Sequence, residues 1–178
     1  MGLCIIMFRS QGVEEEVVRS CKTVLKDVFV DCSVEIFEDV VVIPEHFYNY
    51  GRGQYLADGI VYRVSELVKM DCFGILLADV DAYVEGLNFV FGLAIPWLRS
   101  AAVFLYRLRF GTNFNNYLHR VVKEVIHELG HLLGLEHCKS PGCVMNFSNS
   151  VYDVDKKGYM FCDKCLKKLS KKGIRTSA

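Results

Sequence analysis

Residues 127–137 read His-Glu-Leu-Gly-His-Leu-Leu-Gly-Leu-Glu-His, and no other feature of the chain restricts its fold as tightly. Leu118, Val121, Val122, Val125, Ile126, Leu129, Leu132 and Leu133 recur at three- and four-residue steps, which predicts a helix from about Asn115 to Leu133. Successive helical residues turn by about 100°, so His127 and His131 stand one above the other, about 40° apart, and can grip one cation from the same face. Zinc asks for a third protein ligand and an open position for water. Gly134 can take the left-handed conformation that ends the helix and lets His137 turn up to the metal. Glu128, next to the first ligand, points to the flank where that water would sit, and is the candidate general base. With 5 His and 14 Gly among 178 residues, the five specified positions coincide by chance in about two of 100,000 such chains.

Four of the eight cysteines follow this helix. Cys138 and Cys143, then Cys162 and Cys165, form two short-spaced pairs separated by a loop, the spacing of a tetrahedral four-thiolate zinc site. Two disulfides or free buried thiols are the alternatives. Cys4, Cys21, Cys32 and Cys72 sit inside apolar patterns and read as small core residues. The N-terminal run Leu3–Phe8 has no basic segment before it and no small-residue cleavage site after it. It reads as a first strand, and a cytoplasmic, reducing setting is expected, in which thiols stay free. Because Cys138 follows His137 directly, ordering the cysteine site would pin the third histidine.

The rest of the chain alternates strand and helix patterns: strand 3–8, helix 13–28, strand 34–42, helix 54–70 and strand 73–77. That order predicts a layered α/β sheet with crossover helices. Two further strands, Asn88–Phe91 and Ala101–Arg107, follow so closely that at least one should be antiparallel or at an edge. The longest apolar stretch, Phe89–Leu98, contains Pro96 and falls short of the roughly 20 residues that cross a membrane. With 21 basic and 21 acidic residues, no global field attracts polyanions. From Val151 onward eight Lys/Arg stand against three Asp, and the lysines around Cys162 and Cys165 read as a solvated helix face. Asp79 and Asp81 read as a turn rather than a hard-cation site, His119 lies about 80° off the metal face, and His46 falls in a loop beside Pro44.

The string HELGHLLGLEHCKSPGCVMNFSNS, with FCDKC following, resembles the archaemetzincins, a branch of the metzincin clan of zinc-dependent peptidases. Asn88-Phe89-Val90-Phe91-Gly92 is similar to that family's strand before the helix. The resemblance covers most of the chain, least over residues 1–70 and the tail. It implies a metzincin-like α/β (α+β) fold, a twisted mixed sheet with backing and active-site helices. Residues 1–134 would form an upper mixed-sheet subdomain with the zinc-binding helix. Residues 135–178 would form a lower, zinc-stabilised subdomain, within one catalytic domain. It also implies that Met145 makes a turn beneath the zinc, as a hydrophobic floor and not a ligand; taken alone, Met145 reads equally as a core residue. The strand near Asn88 would line the cleft, where an extended peptide adds by main-chain hydrogen bonds. Tyr152, Tyr159 and Asn146 are candidate donors to a tetrahedral oxyanion.

The expectation is a zinc-dependent metallopeptidase with two Zn2+ ions per chain. His127, His131 and His137 would hold a catalytic zinc whose water Glu128 activates, and Cys138, Cys143, Cys162 and Cys165 a structural one. It would act as a monomer on a peptide or protein substrate, with aminopeptidase action among the options and with neither membrane nor nucleic acid as partner. One alternative is a catalytically silent, zinc-stabilised peptide- or partner-binding protein, which has no need of Glu128. Another is a regulatory or nucleic-acid module acting through the basic tail.

Overall fold

The apolar run at the start of the chain forms a strand buried on both faces, β1 (Leu3–Ser10), with Ile5, Ile6, Met7 and Phe8 all inside. Such a run suits the middle of a parallel sheet. The computed structural model describes residues 2–177. After β1 come α1 (Glu15–Val28), β2 (Cys32–Val41), β3 (Tyr48–Asn49), β4 (Gln54–Leu56), α2 (Ala57–Ser65), β5 (Phe73–Ala78), β6 (Ala82–Tyr83), β7 (Gly92–Ile95) and β8 (Ser100–Phe104). The long helix α3 (Phe114–Leu132) and two shorter ones, α4 (Val151–Lys156) and α5 (Asp163–Lys171), complete the chain.

The main sheet has the order β2-β1-β5-β8-β7, parallel except for β7, which runs antiparallel to β8 at the edge. The two-residue period of each strand divides its side chains between two cores. Ile5, Met7, Ile75, Leu77, Ala101 and Val103 face α1 and α3, whereas Ile6, Phe8, Leu76, Ala78, Ala102 and Phe104 face α2. Strands β3, β4 and β6 make a separate three-stranded sheet. No helix among the described residues is long and apolar enough to cross a membrane.

Three expectations change. The helix expected over 54–70 is shorter, because Gln54–Leu56 pair as β4 with β3 and β6, and the Gln54 amide donates to Asp81 and to the Asn88 carbonyl. The strand expected at Asn88–Phe91 lies four residues later, at Gly92–Ile95: Val90 is drawn aside to donate to the Ala82 carbonyl, and the ladder to β8 begins at Gly92 opposite Val103. Cys4 and Cys72, expected as free thiols, are joined in a disulfide. The parallel register Ile5↔Phe73 makes the preceding pair direct neighbours, with Cα atoms 4.6 Å apart. Of the other two, Cys21 is buried and Cys32 half-buried at the start of β2.

Candidate active site

Helix α3 is started by Asn113, whose side chain accepts from the Asn116 amide at 3.0 Å. Its apolar stripe, including Val121, Val125 and Leu129, packs into the core, while Glu124, His127, Glu128 and His131 line a cleft of about 910 Å3. Facing them across the cleft are residues 86–94, which include the start of β7. The helix ends in a Schellman motif: Gly134, at φ 84°, donates to the His131 carbonyl, and Leu135 reaches back to the Gly130 carbonyl, each at 2.9 Å. This reversal carries His137 back to the cleft wall.

There the three ring nitrogens converge. His131 Nε2 lies 3.1 Å from His127 Nε2 and 3.3 Å from His137 Nε2. His127 Nδ1 is 2.8 Å from the Val144 carbonyl, and His131 Nδ1 is 2.8 Å from the Leu135 carbonyl. A carbonyl only accepts, so these Nδ1 atoms carry the hydrogens and the Nε2 atoms are bare lone pairs. Lone pairs so close repel unless a cation sits among them. Zn–N bonds of about 2.0–2.1 Å place tetrahedral ligand nitrogens about 3.3 Å apart, so the triad fits zinc. Burial holds the His127 imidazole well below its usual pKa, with the Lys157 ammonium and His131 adding to the effect; burial also lowers His131 and His137. All three are kept in the neutral, ligating form.

Glu128 is buried beside this triad. Its carboxyl is pushed well above the usual carboxylate range, first by burial and then by Glu124, with Lys157 opposing. Met145 is fully buried, and its thioether occupies the space where a side chain at Gly130 would stand, so the segment 143–145 lies directly beneath the helix.

The four cysteines expected as a set also meet. Cys138 Sγ is 3.6 Å from Cys162 Sγ, Cys143 Sγ is 3.8 Å from Cys165 Sγ, and all four sulfurs lie within 4.8 Å of one another. A tetrahedral zinc with bonds of about 2.3 Å spaces its sulfurs about 3.8 Å apart, so this cluster fits a second ion. None of the four is in a disulfide. Backbone amides of Ser140 and Cys162 donate to Cys138 and Cys143, both at 3.4 Å. Burial raises the Cys162 thiol, but hydrogen bonds from Ser140, the Cys165 backbone and the neighbouring thiols outweigh it and bring it down to about 6. The two clusters share one segment: Cys138 donates from its amide to the Met145 carbonyl at 2.9 Å, and Val144, whose carbonyl accepts from His127, lies between Cys143 and Met145.

Other sequence candidates fall elsewhere. Tyr152 and Tyr159 are 74% and 50% exposed and do not line the cleft. The Asn146 amide is spent on the Cys138 and Ser140 carbonyls, 2.6 and 2.9 Å away. His46 and His119 are exposed. Asp79 pairs with Arg109, and Asp81 with Arg107 at 2.7 Å. Among the described residues, the histidine triad and the cysteine tetrad are the two groups able to hold a metal.

The sequence reading gave Lys157 no role beyond counting it among the basic residues of the tail. Its side chain is 1% exposed and its ammonium lies 2.8 Å from Glu124, itself 3% exposed. The Lys157 ammonium also donates to the Asn146 carbonyl at 3.3 Å and stands 3.3 Å from His127 Nδ1. A signal was available: Glu124, His127, Glu128 and His131 form a polar stripe at helical spacing, and a buried Glu124 needs a cation.

Three neutral imidazoles that would hold a cation and leave one position open to a cleft, with a buried carboxyl beside it, are what the metal-dependent hydrolases have in common. Comparison with known proteins narrows it. Residues 3–171 match the model of peptidase family M54. An archaemetzincin of Pyrobaculum aerophilum is 47% identical over 135 residues, covering 76% of this chain and 82% of that protein. One of Sulfolobus acidocaldarius is 39% identical over 174 residues, 93% and 96% of the two chains. The crystal structure of the Methanopyrus kandleri archaemetzincin superposes with a TM-score of 0.86 at 34% identity, covering 96% of this chain and 94% of that one. A zinc-dependent peptidase from Methanocorpusculum labreanum gives 0.79 at 28% identity, over 93% and 99% of the two chains. The chain belongs to peptidase family M54, the zinc metallopeptidases called archaemetzincins.

Proposed function

We propose that the chain hydrolyses peptide bonds of peptide or protein substrates, with His127, His131 and His137 holding the catalytic zinc, Glu128 serving as general base, and Cys138, Cys143, Cys162 and Cys165 holding a structural zinc. The observation that carries the proposal is the convergence of three histidine Nε2 atoms at 3.1 and 3.3 Å beside a buried Glu128. Zinc held there lowers the pKa of water at its open position to about 7 and polarises a carbonyl. The residues supply the rest. Glu128 takes the proton of the attacking water on its carboxylate and passes it to the leaving nitrogen. A carboxyl raised by burial holds that proton better between the two transfers than an exposed one does. The outer edge of β7 offers free main-chain groups to which an extended substrate can pair.

Met145 serves as a packed floor under α3, supported by its burial against Gly130. Residues 1–134 and 135–178 act as upper and lower walls of the cleft, supported by the break at Gly134 and by the lining from 86–94 on one side and 135–137 and 147–149 on the other. The chain works as a monomer, since both metal clusters and the cleft lie within one copy, and in the cytoplasm, supported by four gathered free thiols and opposed by the Cys4–Cys72 disulfide.

The test is Glu128→Gln. Zinc content should stay at the parent value while cleavage of a fluorogenic peptide library falls by about 10²–10⁴. Equal turnover by both proteins would refute the role of Glu128, and no turnover by either would favour binding without hydrolysis.

A further inference from the structure

We propose that Gly92 is a positioning residue for hydrolysis: its bare Cα is the surface on which the Glu128 carboxylate lies, and a side chain there would push that carboxylate away from the three histidines. The proposal rests on Glu128 as the general base and names what holds it in place.

Gly92 is the first residue of β7, the edge strand that borders the cleft, and pairs opposite Val103 of β8. The alternation of the strand sends Leu93 and Ile95 toward α2 and leaves Gly92 and Ala94 on the face toward α3. The backbone at Gly92 is not in the left-handed region, so conformation does not demand glycine there. Space does. A Cβ built on Gly92 would stand 2.6 Å from Glu128 Cγ and 2.7 Å from Cδ, with Oε1 closer still. Three consecutive atoms of one side chain thus lie against a single Cα, and real Cβ atoms essentially never come within 3.0 Å of a neighbour. The neighbour cannot yield as an exposed lysine tip would. Glu128 starts from a rigid helix and is buried at its root, so its carboxylate can only swing as a whole. Cγ, Cδ and Oε1 of Glu128 all rest on Gly92, and this packing orients the carboxylate.

The experiment is a cycle on the full zinc-loaded chain: parent, Gly92→Ala, Glu128→Asp and the double variant. Each is assayed for zinc content, kcat and KM on a fluorogenic peptide, and thermal midpoint. Misplacing a catalytic group by about 1 Å costs about 100-fold, so Gly92→Ala should lower kcat by that factor while KM stays within about threefold and zinc is retained. Aspartate is one methylene shorter and withdraws the colliding atoms. In the Glu128→Asp background the same alanine should therefore cost less than about fivefold, the non-additivity of touching groups. A general role of Gly92 in the sheet would give equal penalties in both backgrounds and overturn the proposal, as would full activity of Gly92→Ala. Should Gly92→Ala fail to fold, the double variant should fold with the midpoint of Glu128→Asp; if it too fails, the proposal is overturned. If Glu128→Gln, run alongside, proves as active as the parent, the general-base reading fails instead, and the midpoints of the four proteins of the cycle still decide whether the added Cβ acts on Glu128.

Discussion

Replacing Lys157 by methionine removes one half of an ion pair whose side chains are 1% and 3% exposed, 2.8 Å apart, beneath the catalytic cleft. Methionine fills most of the lysine volume, so the change leaves mainly a buried Glu124 carboxylate without its cation, one helical turn from Glu128. Breaking a buried pair in this way costs about 3–5 kcal/mol, because the remaining charge must be desolvated alone or protonated. For a domain of this size each kcal/mol moves the thermal midpoint by about 2–4 °C, so Lys157→Met should melt about 6–20 °C below the parent. The assay is calorimetry, with urea unfolding as a second reading. The double variant Lys157→Met, Glu124→Leu removes both charges and should regain most of that loss, since apolar replacement of a whole buried pair is often neutral or better. A loss below about 1 kcal/mol, or a double variant as unstable as the single one, would show that the pair does not behave as desolvated charges and would refute the reasoning.

Two further outcomes are expected. The raised pKa of Glu128 means that its ionised form is disfavoured by folding, so its stabilising contribution is present below its ordinary value of 4.5 and lost as pH rises through the folded value. In metal-free protein, Glu128→Gln should therefore be more stable than the parent at pH 8 by urea unfolding, with the advantage gone at pH 4. Gly134→Ala places a Cβ at φ 84° and against the Lys172 ammonium, which donates to the Leu133 carbonyl. It should cost about 1–2 kcal/mol and, by displacing His137, release the catalytic zinc to a chelator more readily than the parent does.

The meeting of the candidate ligands was legible because their spacings are local. His127, Glu128 and His131 share one helical turn, Gly134 turns the chain within three residues, and each cysteine pair spans a short loop, so helix geometry and ligand number suffice to gather them. Contacts set by the register of distant strands were not. Cys4 and Cys72 meet only because β1 and β5 pair with Ile5 opposite Phe73, and nothing within either segment announces that. The edge strand was placed four residues early because Phe89 and Val90 are as apolar as Leu93 and Ile95, and hydrogen bonding to β6 decides between them. Gln54–Leu56 continued a helical pattern until two short partners claimed it as a strand. Lys157 was hidden by composition: it sits in a run of lysines that are otherwise solvated, and its carboxylate partner lies 33 positions earlier in the chain.

The most direct measurement is anomalous diffraction at the zinc absorption edge from crystals of the purified chain. Two peaks per chain are predicted, one equidistant from Nε2 of His127, His131 and His137, the other enclosed by the sulfurs of Cys138, Cys143, Cys162 and Cys165. A triad with no peak after soaking in zinc, or with its rings turned apart, would contradict the account.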